Sequence, residues 1–125
     1  MAGQHALYID GKWVNTDTSV TNINPSDTRE VIGEYAQATP ELVDSALDAA
    51  VRAAGDWGQS PIEARYQVLM AIGNELIERS AELGELLARE EGKARAEGVG
   101  EVFRSGQFFH YFAAEVHRQI DDRAD

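Results

Sequence analysis

The side chains of this 125-residue chain that could do chemistry lie mostly in its last third. His110 and His117 are seven apart, so a helix would set them on one face with Glu115 close by. Helical metal motifs use the tighter i, i+4 pairing, and two histidines serving the surface or the core account better for this spacing. Glu90 and Glu91 have the composition of an acid and base pair, but adjacent residues on a helix point away from one another, and a solvated helix end explains them as well. Gly98, Gly100 and Gly106 do not spell a dinucleotide fingerprint, because no strand precedes them and the spacing is wrong; close helix packing fits them better. No serine, histidine and acid set stands in a nucleophile context. With no cysteine, the chain has no thiolate nucleophile, thiolate metal site or disulfide of its own.

These residues gather at one corner. Leu86-Leu87-Ala88-Arg89-Glu90-Glu91 is a helix-forming run that ends at Gly92, which can take the left-handed cap, and Lys93 restarts the chain. Gly98-Val99-Gly100-Glu101-Val102 then opens an aromatic-rich helical run reaching about Arg118, amphipathic through Val102, Phe103, Phe109, Phe112 and Val116.

The elements that must position this corner begin with two hairpins. Leu7-Tyr8-Ile9 and Lys12-Trp13-Val14 flank Asp10-Gly11, the pair that a type I′ turn favours because both central residues need positive φ. Val20-Thr21-Asn22-Ile23 runs to a turn at Asn24-Pro25-Ser26-Asp27, and Glu30-Val31-Ile32-Gly33-Glu34-Tyr35 returns. From Thr39 the period changes from two to about 3.6. Thr39 caps, Pro40 takes the first helical position, and Leu42, Val43, Ala46, Leu47, Ala50, Val51 and Ala54 form a stripe that should stop near Gly55. Trp57 is expected in the link, packed between two helices. Ser60-Pro61-Ile62-Glu63 reads as a capping box opening a helix whose stripe is Ile62, Tyr66, Leu69, Ile72, Leu76 and Ile77. A third helix starts around Ser80 and turns Leu83, Leu86 and Leu87 inward. The fold class is therefore α+β: two short antiparallel hairpins over 7–36 followed by about four helices over 39–118, with residues 1–125 forming one domain and no linker or repeat dividing them.

Composition excludes several functions. Acidic residues outnumber basic ones 22 to 11, giving a formal net charge of -11, and only Lys12 and Lys93 are lysines. Nucleic acid and anionic membranes need clustered Lys and Arg, so neither is expected as a partner. Acid excess with so little lysine is what a high-salt cytoplasm favours, since salt screens self-repulsion there; an ordinary acidic bacterial protein is the plainer alternative. The first six residues lack the basic and apolar regions of a signal peptide, and no apolar run could span a bilayer, so a cytoplasmic location is expected.

In order, Tyr8-Ile9-Asp10-Gly11-Lys12-Trp13, Asn24-Pro25-Ser26 with Glu30-Val31-Ile32-Gly33, Val43 through Trp57, Glu91-Gly92-Lys93 and Gly100-Glu101-Val102 closely resemble the amino-terminal part of the aldehyde dehydrogenase superfamily. The resemblance covers about Leu7 to Arg118. Phe103 through Glu115 looks most like the branch that oxidises 2-oxoglutarate semialdehyde. Glu91 departs from the pattern, since the family usually has a small polar residue before Gly-Lys.

The resemblance implies an enzyme that passes a hydride from an aldehyde, held on a cysteine as a thiohemiacetal, to NAD or NADP, and then hydrolyses the acyl-enzyme with a glutamate base. The family's cysteine, base, oxyanion asparagine and cofactor-contacting strands all come later in a longer polypeptide, so no catalytic or cofactor-binding residue is expected here. The chain would then be an amino-terminal segment of the cofactor-binding domain, inactive alone, exposing an apolar face at Phe103, Phe109 and Phe112. Its partner would be the remainder of the enzyme or a second copy. Two sites carry over. Many members hold a monovalent cation with main-chain oxygens before the Asn-Pro turn and a carboxylate before Gly-Lys, which here are Asn22, Ile23 and Glu90. The helix after Gly-Lys lines the substrate entrance, so Gly100 and Arg104 are expected to face it, with Arg104 suited to a substrate carboxylate; an exposed helical arginine is the plainer reading. The rival function is a free-standing acidic α+β module that binds a protein partner.

Overall fold

Asp10 and Gly11 take φ of 51° and 75°, the left-handed pair that a two-residue hairpin requires. They join β2 (Leu7–Ile9) to β3 (Lys12–Val14), with Tyr8 opposite Trp13 and their rings 4.8 Å apart. In this computed structural model, which describes residues 4–118, the second hairpin pairs β4 (Ser19–Ile23) antiparallel with β5 (Val31–Ala36). Ser19 and Thr21 donate hydroxyl hydrogen bonds of 2.8 and 2.9 Å to the Glu34 carboxylate across this ladder. The connecting turn is built on buried Asn24. Its Oδ1 accepts the Ser26 N–H at 2.9 Å, and its Nδ2 donates to the Glu30 carboxylate at 2.7 Å.

A strand that periodicity did not reveal, β1 (Gln4–His5), pairs parallel with β5, so the order in this sheet is β1-β5-β4. The His5 ring stacks on Tyr35, centroids 4.7 Å apart, and Gly33 leaves room for it: a methyl there would sit 3.0 Å from the imidazole.

Helix α1 (Pro40–Gly58) starts as its sequence demands, with Thr39 Oγ1 accepting the Leu42 N–H at 3.4 Å and Pro40 in the first turn. It does not stop near Gly55. Glycine inside a helix costs about 1 kcal/mol relative to alanine, which weakens a helix without ending it. The helix closes at Gln59, whose N–H reaches the Gly55 carbonyl at 3.2 Å. Trp57 therefore lies in the last turn rather than in a link, 51% exposed. The apolar stripe is present but largely uncovered. Leu42, Val43, Ala46 and Leu47 form, with Leu7 and Ile9, an open groove of about 320 Å³, and Val51 is 75% exposed.

The described residues form two compact units that divide between Gln59 and Ser60, a junction too short to read as a linker. The second unit is α2 (Ile62–Glu78), α3 (Ser80–Glu91) and α4 (Arg95–Arg118). Pro61 does not take the first helical position expected of it in Ser60-Pro61-Ile62-Glu63. Pro61 has ψ of 142°, outside the helix, so it becomes the cap residue itself and α2 begins at Ile62. Arg79 joins α2 to α3 by holding Glu75 at 2.8 Å and Glu82 at 2.9 and 3.0 Å.

Helix α4 packs on both α2 and α3, and its closest backbone approaches to them are made at glycines. A methyl on Gly106 would lie 2.8 Å from the Gly73 carbonyl oxygen, and one on Gly73 2.9 Å from that of Gly106. Gly98 meets the Gly84 carbonyl in the same way, and Gly84 meets the backbone of Val99. Ala113 is completely buried, with Ala88 and Val102 nearly so. On α2 the expected inner residue Ile72 is exposed and Gly73 beside it is buried.

Candidate functional site

Gly92 caps α3 with φ of 71°, and the Lys93 N–H reaches back to the Ala88 carbonyl at 3.1 Å, closing the helix in a Schellman-type turn. This turn points Lys93 along the start of α4. Its ammonium group donates to both oxygens of Glu101, at 2.7 and 2.8 Å, and pairs with Glu91. Those carboxylates, Glu101 first, hold the lysine above its ordinary pKa, so it stays charged well into the alkaline range. Arg95 pairs with Glu85 beside it. Lys93 is thus a clamp that fixes α4 to the end of α3, and Glu91 is one jaw of it.

The two carboxylates of the corner separate. Glu91 is exposed on the clamp, while Glu90 is half-buried and lines a cleft of about 220 Å³ with Leu76, Leu87, Val102 and Ser105. Asn22 and Ile23 end β4, where the ladder slips by one residue: Asn22 faces Gly33 but Ile23 faces Val31. Carbonyl and carboxylate oxygens are the right donor types for a hard monovalent cation. Asn22 and Ile23 belong to the first unit and Glu90 to the second.

The histidines serve packing. His110 Nε2 lies 2.9 Å from Asn74 Oδ1, and the His117 ring sits 4.7 Å from that of Tyr66 with Glu63 3.8 Å away, so both tie α4 to α2. Among the described residues, no three His, Asp or Glu side chains converge on a metal-sized site.

The expected entrance residues share one face of α4. Gly100 has open space around it, and Arg104 one turn later is exposed. With Gln107, Phe108, Tyr111 and Phe112, Arg104 lines an open groove of about 560 Å³. Gln107, Phe108 and Tyr111 were not among the expected site residues. Counting three and four from Gly100 and Arg104 finds them, since positions 100, 104, 107, 108 and 111 share a helical face. Phe109, expected to be exposed beside Phe103 and Phe112, is half-buried; Phe108 and Tyr111 are exposed instead.

Residues 13–124 match the aldehyde dehydrogenase family. The chain belongs to this family. It is 39% identical over 111 residues to an alpha-ketoglutarate semialdehyde dehydrogenase of Haloferax volcanii, matching 87% of this chain and 23% of that one. Its fold superposes on lactaldehyde dehydrogenase from Escherichia coli with a TM-score of 0.88 at 30% identity, covering 94% of this chain and 25% of the other. A 1-pyrroline-5-carboxylate dehydrogenase from Thermus, solved with bound NAD, gives a TM-score of 0.82 at 33% identity over 90% of this chain and 22% of the other. The chain thus spans about a quarter of the length of the aldehyde dehydrogenases it matches. Two hairpins followed by four helices is the architecture it shares with them. No helix among the described residues is long and apolar enough to cross a membrane.

Proposed function

We propose that this chain acts as the amino-terminal segment of a cytoplasmic NAD(P)-dependent aldehyde dehydrogenase and that the substrate of the intact enzyme is 2-oxoglutarate semialdehyde. The observation that carries the reading is the extent of the match: one family matches from residue 13 to 124, and the Haloferax volcanii relative is 39% identical over 111 residues. NAD or NADP would accept the hydride. Because this chain has no cysteine, the nucleophile must come from another segment. The segment's own part would be scaffold. The Lys93 clamp sets the direction of α4, and α4 presents Gly100 and Arg104 to the entrance. The Asn22 and Ile23 carbonyls and the Glu90 carboxylate are proposed, from the resemblance, as donors to a monovalent cation. The exposed faces of α1 and α4 would be covered by the remainder of the enzyme, or by a second copy when the remainder is missing.

The test is complementation. Joined to the remaining three-quarters of the Haloferax volcanii relative, the chain should support NAD-linked oxidation of 2-oxoglutarate semialdehyde, and alone it should support none. Turnover by the chain alone, or a folded but inactive chimera, would overturn the reading and favour an independent binding module. The acid excess adds a second expectation: melting in rising KCl should show stability increasing with salt. A fall with added KCl would rule out adaptation to high salt.

A further inference from the structure

Among the described residues, Asp10 alone has positive φ without being a glycine, and a glycine follows it. Asp-Gly occurs once in the chain and Asn-Gly nowhere. An aspartate before glycine is open to attack on its own side chain, because the next amide nitrogen reaches the carboxyl carbon and no side chain shields that nitrogen. A methyl on Gly11 would meet nothing nearer than the Tyr8 hydroxyl at 4.0 Å. The ladder of β2 and β3 closes at Ile9 and Lys12, so the Gly11 N–H lies outside the paired residues. Asp10 is exposed, and its carboxylate meets Arg52 of α1 at 3.3 Å. The other described candidates are held or shielded. Asp44, Asp48, Asp56 and Asn74 lie inside helices, where hydrogen bonds fix the backbone. Asn24 precedes a proline with no N–H, Asp27 is forked by Arg29, and Asn15, Asp17 and Asn22 precede β-branched residues.

We propose that Asp10-Gly11 is a site of isoaspartate formation, and that the hairpin and Arg52 hold its rate down. The Gly11 nitrogen bonds to Asp10 Cγ and a carboxyl C–O bond breaks; that oxygen leaves as water with the amide hydrogen and one proton from solvent. Water then opens the succinimide. Cleavage between the Gly11 nitrogen and Cγ restores aspartate, whereas cleavage between that nitrogen and the Asp10 main-chain carbonyl carbon leaves the chain running through Cγ. Closing the ring rotates the Asp10-Gly11 peptide away from its turn setting, so the turn must open first. Strands of three residues open locally, and the Arg52 ion pair resists because Asp10 has to leave it. The product puts an extra methylene in the main chain, so a two-residue turn no longer sets Tyr8 opposite Trp13. It also leaves a free carboxylate on the α-carbon at an exposed tip, the group that an isoaspartyl methyltransferase esterifies with a methyl from S-adenosylmethionine. The site stands whether or not the functional reading above does.

The experiment ages the full chain at neutral pH, natively and in guanidinium chloride. The peptide that trypsin releases at Lys12 is then read by electron-transfer fragmentation, which separates isoaspartate from aspartate at equal mass, and by methyltransferase labelling with S-adenosylmethionine. Isoaspartate should concentrate at Asp10 and form more slowly in the native chain than in denaturant. Arg52→Gln should speed the native reaction about twofold to fivefold, the range set by losing an exposed ion pair. Arg52→Lys, which keeps the charge, should stay near the parent. Asp10→Asn keeps the turn and reaches the same succinimide with ammonia as the leaving group, so it should give the same isoaspartate faster. Isoaspartate absent from position 10 in both chains, or spread evenly over the other aspartates, would overturn the site. A native rate equal to the denatured one would overturn the hairpin's part, and that comparison needs no variant. Arg52→Gln that keeps its far-UV spectrum and ages no faster than the parent would overturn the arginine's part.

Discussion

The two faces of α4 have opposite chemistries. The inner face carries Gly98, Val102, Gly106 and Ala113, all buried against α2 and α3. The outer face carries Gly100, Arg104, Phe108, Tyr111 and Phe112, all exposed. Ordinary amphipathic helices put large apolar groups inside and small or charged ones outside. Here the large apolar groups are outside, and the inside is nearly bare backbone. Bare backbone lets helices approach closely and fixes their crossing, so the inner face is completed by partners within this chain. The outer face has aromatic surface and a cation with no partner among the described residues, the profile of a surface that works against something else.

The sharpest way to break this contrast is to place the same side chain on each face. Gly106→Leu would drive its new atoms into the Gly73 carbonyl and Ile77, so a loss of about 3 kcal/mol or complete failure of the helical unit is expected in denaturant melts. Gly100→Ala meets nothing within 4 Å and should stabilise the helix by about 0.5–1 kcal/mol, since alanine loses less backbone entropy. If both glycines tolerate substitution equally, the inner face is not close-packed and the contrast fails.

How much of this was legible in the sequence follows the range of the forces involved. Asp10-Gly11, Thr39-Pro40 and Gly92 could be read because each meets a local backbone requirement: positive φ, a cap, a left-handed stop. Strand β1 could not, because two residues in parallel pairing carry no periodic signal and the His5–Tyr35 stack joins positions thirty apart. The start of α2 shifted by one residue on a single torsion, the ψ of Pro61, that nothing in the four-residue pattern sets. The roles of Gly98 and Gly106 in close packing were legible, but their partners Gly73 and Gly84 were not. A glycine's context decides whether it is a weakness or a contact, and that context lies on another helix. For the site, Gly100 and Arg104 came from the resemblance, and Gln107, Phe108 and Tyr111 required the helical face to be counted outward from them.

A smaller effect tests the outer face. Phe108→Ser with Phe112→Ser should cost about 1 kcal/mol, because both rings already lie more than half in solvent. The same pair should abolish whatever self-association the chain shows in sedimentation. A large loss of stability with unchanged association would move these aromatics from the binding surface to the core.

The smallest effect concerns the clamp that orients both faces. Lys93 is only 19% exposed and reaches Glu101 and Glu91 from the αL turn at Gly92, so it couples the end of α3 to the first turns of α4. Its pKa in the folded state is raised above the ordinary value of 10.5. A raised lysine contributes stability that is complete below the unfolded value and is lost as pH climbs through the folded one. The clamp should therefore be fully engaged at neutral pH and release only on the alkaline side. Lys93→Gln should be slightly less stable than the parent at pH 7, and the gap between their unfolding curves should narrow above pH 10.5 as the parent loses its charge. The inner-face glycines do not titrate, so Gly106→Leu should keep its deficit at every pH where the parent folds. A gap for Lys93→Gln that persists unchanged at high pH would mean that the lysine works through its alkyl packing rather than its charge, and α4 would then be oriented by its glycines alone.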